Sequence, residues 1–222
     1  AIYLSGDLPA GRRRNEGGQV SAQVVGISDC KVSWDPEDLL VTYALGSCIA
    51  VALYDPVAKV GGMLHYMLPD SALDANKAQQ NPYMFADTGI QRLIAAVKSK
   101  GAQPPRMVVR LAGGAQVLDS HGTFQIGKRN YLAAKRILWK AGVLIAAEAV
   151  GGEVSRTTRL EIATGRMWVR EGAGVDAEMA SHGFPKYGVP KNAAPKQSLD
   201  PSNRAPSRAA FGAPSRAMEG KN

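Results

Sequence analysis

Apolar residues come in two rhythms between residues 39 and 171. Short runs rich in β-branched and aromatic side chains, each closed by turn residues, predict strands: "VTYAL" (41–45), "CIAVALYD" (48–55), "KVGGMLHYML" (59–68), "RMVVRLA" (106–112), "VLIAAEAV" (143–150), "TRLEIA" (158–163) and "RMWVR" (166–170). The last two are joined across Thr164-Gly165 as a hairpin. Ile90, Leu93, Ile94 and Val97 instead recur at helical spacing, with Asn81-Pro82 as cap and first-turn proline and Gly101 as the stop. A second helix is predicted over 128–141, with Tyr131, Ala134, Ile137, Leu138 and Ala141 on one face and Gly142 as terminator. Strands outnumber helices without strict βαβ alternation. The expected fold is therefore α+β, a layered sandwich with a mainly antiparallel or mixed sheet and two principal helices.

Outside this body the rhythm stops. Residues 1–20 are Gly- and Arg-rich and read as a flexible leader; 21–175 form the folded domain; 176–222, rich in Pro, Ser, Ala and Lys/Arg, read as a disordered basic tail. The formal net charge is +8, but much of it sits in Arg12-Arg13-Arg14 and in singly spaced tail cations. With few aromatics for base stacking, no nucleic-acid partner is expected. A solvated tail and a weak attraction to anionic surfaces remain as readings of it. Two cysteines make no disulfide scaffold, and no CxxC or HExxH pattern supports a metal. Without a signal core or a spanning apolar run, no membrane insertion is expected and a cytoplasmic address is the default.

Two residues carry chemistry. Cys48 follows Gly46-Ser47, and His65, one of three histidines, lies 17 positions on. If "CIAVALYD" and "KVGGMLHYML" form a hairpin with Tyr54 opposite Lys59, Cys48 faces His65 across the strand pair. An imidazolium there would hold the thiol ionised as a nucleophile, and Gly46-Ser47 would free backbone N–H groups for an oxyanion. A buried filler thiol and a satisfied core histidine are the competing readings. Cys30 reads as a structural thiol, Asp87 as a solvated or capping carboxylate, Gly113-Gly114 as a tight turn, and Arg129 and Asn130 as the polar first turn of a helix. Neither His121 nor His182 has a thiol or carboxylate cluster near it in sequence.

The segments "TYALGSCIAVALYDP", "GGMLHYMLP", "FADTGI", "LAGGA", "IGKRN" and "VGGEVSR" occur in this order. Together they resemble the successive motifs of the CheD family, chemoreceptor glutamine deamidases, over Leu39 to Arg170. The resemblance implies an α/β sandwich around a Cys-His pair, with Cys48 as nucleophile, His65 as its base and Thr42 as third catalytic residue, and no cofactor. It implies hydrolysis of receptor glutamines to glutamate, with methyl-accepting chemotaxis receptors as substrate proteins. A CheC-type phosphatase is the second partner it implies, and with it a non-catalytic adaptor role as the alternative function. Because "IGKRN" recurs in the family, the resemblance also gives Arg129 and Asn130 a second reading, a role in shaping the site or docking a partner. Two departures stand out: Ala44 replaces a glycine common in the family, and Ala149-Val150 precedes Gly151-Gly152 where an acidic residue is frequent.

Overall fold

A computed structural model of the chain describes residues 21–116 and 125–180. The strands are β1 (Ser21–Val24), β2 (Asp29–Ser33), β3 (Asp38–Leu45), β4 (Ile49–Asp55), β5 (Val60–Tyr66), β6 (Val108–Gly113), β7 (Ile145–Val150), β8 (Arg156–Glu161), β9 (Met167–Glu171) and β10 (Ala177–Glu178). The helices are α1 (Ala75–Gln80), α2 (Ala86–Ser99) and α3 (Ile126–Lys140), with 3-10 turns at Ser71–Leu73, Pro82–Met84 and Pro104–Arg106. The leader expected over 1–20, the segment containing His121, and 181–222 of the expected tail, with His182, lie outside the described residues.

The expected α+β sandwich is what forms, and it has two sheets. One has the order β1-β3-β8-β9-β10 and the other β2-β5-β4-β6-β7. Pairing is antiparallel except for β1 with β3 and β6 with β7. The second sheet is the middle layer. One of its faces meets α2 and α3 in a core of Ile49, Val51, Leu53, Leu64, Tyr66, Leu93, Leu111 and Leu138. The other meets the first sheet through Ala50, Ala52, Met63, Leu40, Leu45 and Leu160. Strands β4 and β5 are buried at every position, which is why their sequences read as continuous apolar runs rather than alternating ones. β8 covers only one face and alternates.

Three expectations are corrected. Asn81-Pro82 does not cap the long helix: Asn81 caps the short Pro82–Met84 turn, accepting from Tyr83 N, and α2 starts at Ala86 after the buried Phe85. The folded body passes residue 175, because β10 pairs with β9 and Met179 is buried. The β4–β5 hairpin is also registered two residues away from the expected pairing. Asp55 pairs with Val60 and Tyr54 with Gly61, so His65 lies opposite Ala50 instead of Cys48.

The cause is Asp55, which belongs to the strand and not to the turn. Its fully buried carboxylate accepts from Val57 N (2.8 Å) and Ala58 N (3.1 Å) inside the turn, from Gln103 N (2.9 Å), and from the Arg106 guanidinium (2.8 Å). Burial alone would raise the Asp55 pKa, but the hydrogen bonds from Arg106, Gln103, Ala58 and Val57 outweigh it and hold the pKa below the ordinary carboxylate value. Its stabilising contribution is thus complete above that ordinary value and is lost as pH falls through the depressed one. Asp55→Ala is expected to lower stability by about 3 kcal/mol at neutral pH, read as a urea midpoint shift at unchanged slope. The deficit relative to the native chain should narrow as pH is lowered through the Asp55 titration.

Candidate active site

A register shift of two residues preserves parity. Ala50, Ala52, Met63 and His65 share the face of the middle sheet that looks onto the first sheet, and Cys48 packs against the same cluster. Cys48 precedes β4 in the bend Gly46-Ser47-Cys48 and is half-buried, while His65 is fully buried. The thiol and the imidazole therefore belong to one face without forming a directly facing pair, and no hydrogen bond joins them.

Thr42 and His65 are in direct contact. The Thr42 Oγ1–His65 Nδ1 distance is 2.8 Å, and Thr42 Oγ1 also lies 2.7 Å from the carbonyl oxygen of Val25. A hydroxyl has one proton and a carbonyl can only accept, so Thr42 donates to Val25 and must accept from His65. That fixes the tautomer: Nδ1 carries the proton and Nε2 carries the lone pair. Nε2 is buried and has no hydrogen-bond partner among the described residues, which leaves a base oriented but unengaged. The peptide after β1 thus orients Thr42, which orients His65.

Electrostatics reverse one expectation. Burial raises the Cys48 thiol pKa, its own backbone N–H offsetting this only in part. Burial lowers His65 to about 4, opposed by the Asp29 carboxylate. The resting pair is therefore a neutral thiol and a neutral imidazole, not the expected thiolate and imidazolium. Such a pair suits proton transfer from sulfur to Nε2 during attack, as in hydroxyl nucleophiles activated by a neighbouring base. Asp29 was not singled out in the sequence. It lies on β2, directly opposite His65 on β5, in a short edge strand whose mixed "DCKVS" pattern gives little strand signal. Cys30, next to it, is pushed up to about 12, first by burial and then by Asp29, which leaves it an inert thiol.

The bend bearing Cys48 is held at all three carbonyls. Gly46 O accepts from Ala115 N (2.8 Å), Cys48 O from Gly114 N (2.8 Å), and Ser47 O from Asn130 Nδ2 (2.9 Å). The Gly113-Gly114 turn, with both residues at positive φ, is thus part of the site's frame; a Cβ on Gly113 would sit 2.2 Å from Cys48 O. Gly46 N–H is spent on Ala44 O (2.9 Å). Among the described residues no other residue takes the N–H of Ser47 or Cys48, and the Cys48 N–H bears on its own sulfur. Asp87 is occupied elsewhere, accepting from Ser71 N (3.0 Å) and Ser71 Oγ (2.5 Å). The described residues contain no group of three or more His, Cys, Asp or Glu placed to hold a metal ion. None of their helices is long and apolar enough to cross a membrane.

Three expectations follow. Nitrogen-detected NMR of His65 should show a protonated Nδ1, a bare Nε2 and a pKa near 4; an ordinary imidazole pKa near 6.5 would contradict the arrangement. Because the folded-state pKa is depressed, the stability linked to His65 should be complete above about 6.5 and fall away toward about 4. Ala44, in the β3 bulge, has φ of 54°, a left-handed conformation that costs a non-glycine residue energy. Ala44→Gly should raise stability by about 1 kcal/mol by denaturant titration.

The family model for CheD chemotactic sensory transduction matches residues 67–171, starting just after the strand that carries His65. The Probable chemoreceptor glutamine deamidase CheD of Solibacter usitatus (strain Ellin6076) is 57% identical over 148 residues, covering 67% of this chain and 88% of that protein. The Probable chemoreceptor glutamine deamidase CheD 1 of Syntrophus aciditrophicus (strain SB) is 55% identical over 151 residues, 68% of this chain and 94% of that one. The Chemoreceptor glutamine deamidase CheD of Thermotoga maritima is 41% identical over 152 residues, covering 68% and 93%. Among solved structures, the hypothetical protein YfiH of Bacillus licheniformis aligns at 14% identity over 56% of this chain and 50% of that one with a TM-score of 0.36, too slight a likeness to carry an argument. With 88% of a relative's length matched at 57% identity, this chain belongs to the CheD family.

Proposed function

We propose that the chain is a protein-glutamine deamidase that converts glutamines of methyl-accepting chemotaxis receptors to glutamate and so tunes chemotactic adaptation. The names of its relatives give the substrate class. The observation that carries the mechanism is the Val25–Thr42–His65 hydrogen-bond chain, which leaves Nε2 as a bare base on the face shared with Cys48.

In this mechanism the Cys48 proton moves to His65 Nε2 as sulfur attacks the glutamine carboxamide carbon. The N–H groups of Ser47 and Cys48 bind the developing oxyanion. The C–N bond then breaks, the proton passes from Nε2 to the leaving nitrogen, and ammonia departs from a thioester. Water, losing a proton to the same Nε2, adds to the thioester; the C–S bond breaks, the thiol recovers its proton, and glutamate is released. Thr42 keeps the ring in the one orientation that serves both halves. Cys48 is half-buried at the edge of the sheet interface and is not sealed in the core.

A non-catalytic adaptor, docking receptors or a CheC-type phosphatase, would have no need of a tautomer-locked histidine beside a half-exposed thiol. Incubation with a receptor cytoplasmic fragment should give a gain of about 1 Da at specific glutamines, the exchange of NH₂ for OH. Cys48→Ala should abolish that gain while the protein stays folded; deamidation surviving in this variant would remove the mechanism. The acid limb of kcat/KM should lie near the His65 value of about 4, below an ordinary imidazole limb, because His65 must be neutral to accept the proton.

A further inference from the structure

Asn130, at the start of α3, is fully buried, and its amide joins the two chain segments that carry the chemistry. Its Nδ2 donates one hydrogen to Ser47 O (2.9 Å) and the other to Met67 O (2.7 Å). Ser47 immediately precedes Cys48, and Met67 follows His65 by two residues. The backbone carbonyl of Asn130 accepts in turn from the hydroxyl of the fully buried Tyr66 (2.7 Å), so the helix is braced to the same strand end. Packing alone gives no reason for an amide here. Asparagine is a poor helix former, and burying its side chain costs desolvation that Ala or Leu would avoid.

We propose that Asn130 is a positioning residue for the Cys48–His65 chemistry: a strut that sets the spacing of nucleophile and base and aims the Cys48 N–H at the reacting carbonyl. This rests on the deamidase reading of the same site. The peptide between Ser47 and Cys48 is planar and trans, so its C=O and N–H point in opposite directions. Asn130 pulls the Ser47 carbonyl toward α3, which packs on the outer face of the middle sheet. The Cys48 N–H is thereby turned to the opposite face, the one that carries His65. There it lies close enough to its own sulfur to favour the thiolate, and it is one of the two donors left for an oxyanion. Loss of the strut frees the peptide to rotate, removing that donor and loosening the sulfur relative to Nε2 together.

Asn130→Asp tests this at constant size. Ionised, the introduced carboxylate would present oxygen to two carbonyl oxygens and could make neither bond; protonated, it could make one. Burial raises its pKa, so acidification should repair the variant. With a receptor fragment as substrate, the ratio of variant to native kcat should be about 10⁻² near pH 8 at KM within about twofold. That ratio should rise at least about tenfold by about pH 5.5, where the native enzyme, with His65 neutral, changes little. The rate of Cys48 alkylation by iodoacetamide, normalised to the native chain at each pH, should follow the same course, and the inert Cys30 does not interfere. A ratio near one, a ratio independent of pH, or an effect confined to KM would overturn the proposal. A native chain inactive on receptors would instead defeat the deamidase reading, and the alkylation ratio would still decide the strut. If the aspartate variant does not fold, Asn130→Ser, which keeps one donor, decides in its place: reduced kcat at native KM supports the strut, native kcat overturns it.

Discussion

A single hydroxyl proton crosses the space between the two sheets. Thr42 on β3 hands it to Val25 beside β1, and by doing so takes the Nδ1–H of His65 on β5. Most of what surrounds this chain is apolar or small, Leu40, Leu45, Ala50, Ala52, Met63 and Leu160, beside the buried Thr158 opposite Thr42 and the Asp29 carboxylate opposite His65. In such surroundings an unpaired polar group costs roughly 1–3 kcal/mol, so the Thr42–His65 pair is tolerated only because its hydrogen bonds are made. The exception is Nε2, left without a partner. Within this pair the unmet demand falls on the nitrogen that the proposed mechanism uses to accept a proton.

The same dryness decides the charge state. A water-poor interface penalises imidazolium and thiolate alike, which is why His65 is lowered and Cys48 raised. Reading the sequence for an ion pair follows the chemistry of exposed Cys-His sites, in which each charge supports the other. Here the residues do not face each other directly, and burial outweighs any mutual support. Asp29, across from His65 on β2, opposes the lowering of its pKa, and in the proposed mechanism it would soften the penalty on the imidazolium formed. It does so through space, while the hydrogen bond to His65 Nδ1 is made by the uncharged Thr42.

What the sequence disclosed and withheld has physical grounds. Strands β4 and β5 were legible because strands buried on both faces must be apolar throughout, and the parity linking Cys48 with His65 survived because a two-residue slip leaves faces unchanged. The register itself was not legible. Asp55 reads as a turn former, yet its carboxylate turns inward to gather donors from its own turn and from Arg106, which keeps its backbone in the ladder. The edge strands β1 and β2, with one neighbour each and mixed polarity, lacked both the length and the alternation that mark a strand. The start of α2 was misplaced for a related reason. Asn81 offered good capping chemistry and used it on a short turn, whereas α2 begins where the fully buried Phe85 anchors it by packing, without any side-chain cap.

Asn130 shows the limit most sharply. In sequence "GKRN" is an ordinary polar first turn, and nothing in its spacing says that one of those polar groups faces inward. The reason lies outside the helix. Gly127 lets α3 approach until a Cβ there would stand 2.3 Å from Gly114 O, and this brings the first turn against the bend that bears Cys48. At that distance three carbonyls of the bend need donors. Backbone N–H groups of Gly114 and Ala115 supply two, and only a side chain with two hydrogens can serve Ser47 while also reaching Met67. The amide is therefore a consequence of how closely helix and bend are packed, and that packing brings a thiol on one segment to the same sheet face as an imidazole on another.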